Sequence, residues 1–228
     1  ASDDDDVATM AVYGGSGVTF DRCTFEANAL PLLIRGGEVS VRRSHFTSNG
    51  GLHARGGAIL ADGDGFLSID ASSFDANTAE EGGAIYASGA STLSIRNTTF
   101  LRNNAHGAGG RAGGALRVAG SATVILREGT RLSRAAPDVN NTLLVTGTAS
   151  RVAYVLPAPL GHWIANALTC NAQEASIDRI CLRESLDVLE NEMYSVLPRG
   201  ALNDDYPFAC APGVFGESFD AAQQSTPQ

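Results

Sequence analysis

Gly56-Gly57-Ala58-Ile59, followed by Leu67-Ser68-Ile69-Asp70-Ala71-Ser72-Ser73-Phe74-Asp75-Ala76-Asn77, is the stretch that decides the fold. It holds a glycine pair, a small residue, a short apolar-hydroxyl-apolar alternation, a Phe five residues on and an Asn three residues after that. Alternation of period two makes a short strand with its apolar side chains on one face.

The same order recurs on both sides. Val18-Thr19-Phe20 leads to Phe25 and Asn28, Val39-Ser40-Val41 to Phe46 and Asn49, and Leu93-Ser94-Ile95 to Phe100 and Asn103. Gly82-Gly83-Ala84-Ile85 and Gly113-Gly114-Ala115-Leu116 repeat the glycine signal, each placing its alanine nine residues ahead of the next strand. The glycines suit a turn with positive φ, the alanine a close approach of neighbouring coils, and Asn a sharp corner in the left-handed conformation. Phe25, Phe46, Phe74 and Phe100 lie 21, 28 and 26 residues apart, so loop length varies at one corner while the unit is kept.

A period in this range means a solenoid or a propeller, and strands this short without Trp-Asp or Gly-His markers favour the parallel β-helix. The expected fold is all-β: a right-handed parallel β-helix of about five coils with a small C-terminal helical, disulfide-containing cap. Phe25, Phe46, Phe74 and Phe100 are expected to stack in one interior row, and Asn28, Asn49, Asn77 and Asn103 along a corner. Val124-Ile125-Leu126 keeps the strand without a Phe-x-x-Asn after it, a place for the stack to end.

Gly-Gly-Ala-Ile with Phe-x-x-Asn resembles the repeat of the polymorphic outer-membrane proteins and related right-handed β-helix adhesins, over about residues 10 to 130. The resemblance implies a secreted or surface-exposed stalk used for adhesion. The chain departs from that family in showing no translocating barrel.

Residues 1–155 therefore read as the β-helix, 156–205 as a cap and 206–228 as the start of a further module with a tail. Leu156-Pro157-Ala158-Pro159 breaks the ladder, since Pro has no N–H to give. Trp163 reads as a cover for the open end rather than a sugar platform. Ile177, Ile180, Cys181, Leu186, Leu189 and Met193 recur at helical spacing, which predicts an amphipathic helix against the last coil. Cys210-Ala211-Pro212-Gly213-Val214-Phe215-Gly216 looks like the opening of the cysteine-rich modules of ephrin-receptor-like ectodomains, which implies a large eukaryotic surface protein.

Of the 4 cysteines, Cys170 and Cys181 make the simplest disulfide, leaving Cys210 to Cys23 or to a partner elsewhere. Sequons at Asn97 and Asn140 are compatible with a secretory route, and with the cysteines they favour an extracellular or cell-surface location. Sixteen basic against 25 acidic side chains give a net charge of −9, with no basic face, which argues against nucleic acid. No apolar run reaches the roughly 18 residues of a membrane span, and Asp3 to Asp6 read as a solvated terminus.

Because β-helices also carry polysaccharide lyases and epimerases, catalysis has to be tested at residues. Asp62, Asp64, Asp70 and Asp75, with Arg96 or Arg102 in the next coil, are the candidates. Asp62-Gly63-Asp64-Gly65 reads as a turn in the variable loop rather than a calcium site, and His45 as a corner residue. No histidine has a nucleophile's spacing, and no catalytic, cofactor or metal site is assigned. The expectation is a structural or adhesive module of a larger surface or filament protein, binding protein chains of an assembly or surface glycans, with a homo-oligomer or filament among the assemblies it would form. The alternative is a carbohydrate-active enzyme of lyase or epimerase type.

Overall fold

The structure, a computed structural model, describes residues 8–15, 17–51, 55–107, 113–127, 129–133, 143–146 and 150–155, and beyond them strands at His162–Trp163, Ala167–Thr169, Met193–Val196, Gly200–Leu202 and Phe208–Ala209. Three parallel sheets wind around one interior. Sheet 1 stacks Met10–Tyr13, Leu32–Arg35, Ile59–Ala61, Ile85–Ala87, Leu116–Val118 and Leu143–Val145. Sheet 2 stacks Gly17–Asp21, Glu38–Arg42, Phe66–Asp70, Thr92–Arg96, Thr123–Leu126 and Arg151–Val155. Sheet 3 stacks Thr24–Glu26, His45–Thr47, Ser73–Asp75, Thr99–Leu101 and Arg131–Ser133.

Each passage through the three sheets is one coil. The fifth coil does not end the stack, because Leu143–Val145 and Arg151–Val155 pair in parallel onto it as two strands of a sixth. In that fifth coil Leu132 stands opposite Phe100 and takes over the aromatic position.

The register explains the repeat. Val39, Leu67, Leu93 and Val124 lie opposite one another, as do Val41, Ile69, Ile95 and Leu126. These side chains, with Ile59, Ile85 and Leu116 of sheet 1, form one continuous buried core. The four phenylalanines stack through it, with ring centroids 4.6, 4.7 and 4.9 Å apart and ring planes within 11° of parallel. That separation is one sheet spacing, about 4.8 Å, so the ladder itself sets the distance at which the rings meet. Phe20 closes the first coil edge-on to Phe25 at 5.9 Å.

The two glycines of each pair have different tasks. Gly56, Gly82 and Gly113 have φ of 66°, 64° and 67°, the left-handed turn that a side chain disfavours. Gly57 and Gly83 are needed for room, since a Cβ on Gly57 would run into the carbonyl oxygens of Thr78 and Gly83. The length variation sits between sheets 3 and 1. The corner between sheets 1 and 2, which holds Asp62 to Gly65, is instead regular: Gly89 lies on Gly63, and Gly120 on Gly89, all three with positive φ.

At the C-terminal end the stack is covered by strands. Met193–Val196 pairs antiparallel with Arg151–Val155, and Gly200–Leu202 with Leu143–Val145. Met193 thus opens a strand rather than extending a helical stripe, while the predicted helix over 177–189 lies outside the described residues. Trp163 belongs to a separate two-stranded pairing with Phe208.

Candidate functional site

Asn49, Asn77 and Asn103 are fully or almost fully buried at the corner after sheet 3, in line with Asn28. The amides of Asn49 and Asn77 each link three coils. Asn77 Nδ2 donates to the carbonyl of Phe46 in the coil before (3.0 Å) and to Oδ1 of Asn103 in the coil after (2.9 Å). Its Oδ1 accepts from the backbone N–H and Nδ2 of Asn49, at 3.0 and 2.9 Å. Asn49 makes the same set, reaching back to Phe25. The left-handed residues, however, are those just before each Asn: Ala27, Ser48, Ala76 and Arg102, with φ from 53° to 55°. The asparagines serve through their side-chain amides, which supply both donors and acceptors to buried backbone that the turn leaves unpaired.

A second ladder was not anticipated from the sequence. Ser44, Ser72 and Thr98 lie two residues before the Phe row, each hydroxyl donating to a carbonyl two residues back at 2.7 to 2.9 Å. Each also accepts a backbone N–H from the preceding coil: Cys23 to Ser44 and Ser44 to Ser72 at 3.1 Å, Ser72 to Thr98 at 3.5 Å. Thr130 continues the row, bonding the carbonyl of Ile95 at 3.0 Å. Cys23 occupies the same position in the first coil as a free thiol directed at the carbonyl of Asp21. The signal was a hydroxyl or thiol residue two positions ahead of each Phe.

The carboxylates offered as catalytic candidates do not converge. Asp75 is paired with Arg102, bonded through Nε at 2.8 Å and through Nη2. Asp62 accepts from the Ser88 hydroxyl at 2.8 Å, and Asp64 is exposed. Asp70 stands opposite Arg42 on one side and Arg96 on the other, so the outward column Asp21, Arg42, Asp70, Arg96 alternates in charge along sheet 2. Unlike charges one strand apart attract, which offsets the cost of the buried and otherwise unbonded Oδ1 of Asp70. Asp21 is also held bidentate by Arg43 at 2.8 and 2.7 Å. That hydrogen bond keeps its carboxyl below the ordinary aspartate range. Among the described residues no three His, Cys, Asp or Glu gather as a metal site.

His45 lies within a strand of sheet 3 rather than at a corner, its Nδ1 2.7 Å from the Ser73 hydroxyl. The sequence separates these residues by 28 positions, which hid the pairing. Both belong to an outward row with Thr24 and Thr99, on an exposed strand face where a charge developing at the hydroxyl would be stabilised mainly by water.

On sheet 1 the outer face carries a second small core. Leu30, Leu33, Leu60 and Tyr86 are buried there. Arg55 and Arg117 lie over the Tyr86 ring at 5.5 and 5.9 Å, and Glu81 bridges them at 3.8 and 2.6 Å. Burial pushes the Tyr86 phenol above its ordinary value. This cluster seals one face of the solenoid, leaving the early coils of sheet 2 as a flat face: Thr19, Ser40 and Ser68 stand in register beside the alternating charges.

Asn97 is exposed at a left-handed corner, with φ of 46°. Asn140, Cys170, Cys181 and the Cys210 to Gly216 segment lie outside the described residues, so the disulfide, the second sequon and the further module belong to the sequence alone. The model of a protein family described as a right-handed β-helix region matches residues 6–128. No curated protein and no solved structure matches the chain.

Proposed function

The chain belongs to the right-handed β-helix family, and from that premise we propose that it serves as a rigid, non-catalytic structural or adhesive module of a larger extracellular or cell-surface protein. The observation that carries this reading is the fate of the candidate acids. Asp75 is engaged by Arg102 and Asp62 by Ser88, each tying one coil to the next, and Asp70 stands in register between Arg42 and Arg96. A lyase or epimerase needs acidic groups converging beside a base, whereas here the acids lie on different elements, Asp62 and Asp64 in the corner after sheet 1, Asp70 on sheet 2 and Asp75 on sheet 3.

The flat part of sheet 2 supports adhesion. Hydroxyls of Thr19, Ser40 and Ser68 recur at about 4.8 Å, flanked by charges of both signs, and so offer many weak, regularly spaced contacts to a surface glycan or a protein chain. Exposure of Asn97 at a corner leaves this sequon accessible to a glycosylating enzyme, which supports a secretory route.

The test is incubation of the purified chain with uronate and neutral glycans, with and without calcium. Neither unsaturated nor reducing ends should appear, while retention on an immobilised glycan or protein ligand should weaken when Ser40→Leu and Ser68→Leu are combined. Release of new ends that is lost with Asp62→Ala or Asp64→Ala overturns the reading in favour of the enzyme.

A further inference from the structure

We infer that the Asn49–Gly50 peptide is a self-modifying site: when the corner that holds it opens, the Gly50 nitrogen closes on the Asn49 amide and turns it into a carboxylate, and the closed asparagine ladder is what prevents this. Two separate demands of the fold set these residues side by side. The ladder needs an amide at position 49, where Nδ2 donates to the Phe25 carbonyl and to Asn77 Oδ1, both at 2.9 Å. The next residue must be glycine, because Gly50 has a φ of 111° and bridges to Thr78, whose carbonyl a Cβ on Gly50 would strike. At the other rungs the Asn is followed by Ala29, Thr78 and Asn104, and Asn49 is the one asparagine of the sequence that precedes a glycine.

Asparagine is a chemically labile residue, and a following glycine eases its reaction, since no side chain keeps the backbone nitrogen away from the amide carbon. The step needs only water as co-reactant. The Gly50 nitrogen gives its proton to solvent and bonds to Asn49 Cγ, the Cγ–Nδ2 bond breaks, and Nδ2 leaves as ammonia after taking a proton from solvent. The cyclic imide so formed then takes up a water at either carbonyl, which leaves an aspartyl or an isoaspartyl linkage at position 49.

The folded corner blocks each part of that step. Asn49 is 1% exposed. The Gly50 N–H donates to the Asn28 carbonyl at 2.7 Å, which keeps the nitrogen protonated and directed at the coil before. The Asn49 backbone is held from the other side, its N–H donating to Asn77 Oδ1 at 3.0 Å and its carbonyl accepting from the Thr78 N–H at 2.8 Å. Its Oδ1 accepts from the N–H and Nδ2 of Asn28, at 3.0 and 3.1 Å. Cγ reaches the Gly50 nitrogen only when these bonds let go together, which is a local opening of the corner. Once converted, the side chain has no donor for the Phe25 carbonyl and sets a carboxylate oxygen against Asn77 Oδ1, so the corner cannot close as before. The modification therefore records opening irreversibly, and it is independent of whether sheet 2 binds a ligand.

The test follows position 49 by peptide mapping of the full chain held at mildly alkaline pH, folded and in urea. It reads the mass gain of an amide turned into a carboxylate, and the isoaspartyl linkage by fragmentation. Conversion at Asn49 should be slower by roughly tenfold or more in the folded chain, and in urea Asn49 should convert ahead of Asn77 and Asn103. Asn77→Leu takes away both bonds to its Oδ1 and should speed conversion at Asn49 by roughly tenfold or more, with far-UV circular dichroism reporting that the variant is folded. Asn28→Ala removes only the Nδ2 bond to Asn49 Oδ1 and should speed it less; it carries the comparison where Asn77→Leu fails to fold. Absence of conversion in urea refutes the site. Equal rates in the folded and unfolded chain, or an unchanged rate in the folded variants, refute its gating by the ladder.

Discussion

Truncating Phe74 to alanine tests the interior most directly. Its ring is 0% exposed and lies between Phe46 and Phe100 at 4.7 and 4.9 Å, inclined by 6° and 8°. Removal leaves a slot one coil thick whose walls are held apart by the sheet ladder, so the site cannot collapse. The cost belongs in the upper half of the about 3–5 kcal/mol typical of Phe→Ala in cores, because both stacked pairs are lost along with the buried area. Phe25→Ala provides the internal comparison. That ring stacks on Phe46 alone, meets Phe20 only edge-on at 5.9 Å and is 6% exposed, so about 2–3 kcal/mol is expected there, at or below the bottom of the core range. Urea unfolding followed by far-UV circular dichroism measures both, with an unchanged denaturant slope required for the comparison. Equal costs for the two substitutions, or a cost under about 1 kcal/mol for Phe74→Ala, would refute the rigid-slot argument.

Asn77→Leu should cost about 2–4 kcal/mol by the same measurement, since it orphans the buried Asn49 N–H at about 1–3 kcal/mol and takes a partner from the Phe46 carbonyl and from Asn103; a loss under about 1 kcal/mol would mean that water or a shifted turn replaces the amide. The Asp21 carboxyl, depressed by its hydrogen bond to Arg43, should titrate below an ordinary aspartate and move up in Arg43→Gln. Because the folded value lies below the unfolded one, near about 3.9, the pair's contribution is present above that pH and is lost as pH falls through the folded value. Carboxyl NMR titration reads both, and an unmoved midpoint in Arg43→Gln would remove Arg43 as the cause.

The rows built from a single residue type were legible in sequence, and those built from a function shared by several types were not. Phe and Asn recur as themselves, so their spacing showed. The hydroxyl ladder uses Cys23, Ser44, Ser72, Thr98 and Thr130, and identity alone does not connect them. Leu126 to Leu132 is one residue longer than Ile95 to Phe100, and that insertion, with Gly129 in the left-handed region, hid the fifth coil's member of the aromatic row. The sixth coil has neither glycine pair nor Phe, and only pairing reveals it. The left-handed corners at Arg22, Arg43, Ala71 and Arg102 bear no glycine, because the hydrogen bonds of adjoining coils hold a conformation that the residue itself disfavours. The Asp75–Arg102 pair was within reach of the sequence: both residues had been singled out, and the Phe74–Phe100 register places Asp75 one residue after Phe74 and Arg102 two after Phe100.

Apolar stacking and the polar ladders answer different questions about this fold. A row of Phe, Leu, Ile and Val supplies most of the driving force for collapse, yet it discriminates weakly between registers, since neighbouring coils present the same kind of surface. An amide that must meet a particular carbonyl in the coil before and a particular amide in the coil after does discriminate, because a one-residue slip leaves buried donors and acceptors unmet on both sides. The fixed spacing of three residues from Phe to Asn ties the two, so that seating the ring also seats the amide. Two further coils continue the parallel pairing beyond Asn103, and on the sixth the closure passes to antiparallel backbone pairing, which carries its own register in its hydrogen bonds. At the first coil the row keeps its register by a local bond, Asn28 Nδ2 donating to the carbonyl of Glu26 as well as to Oδ1 of Asn49.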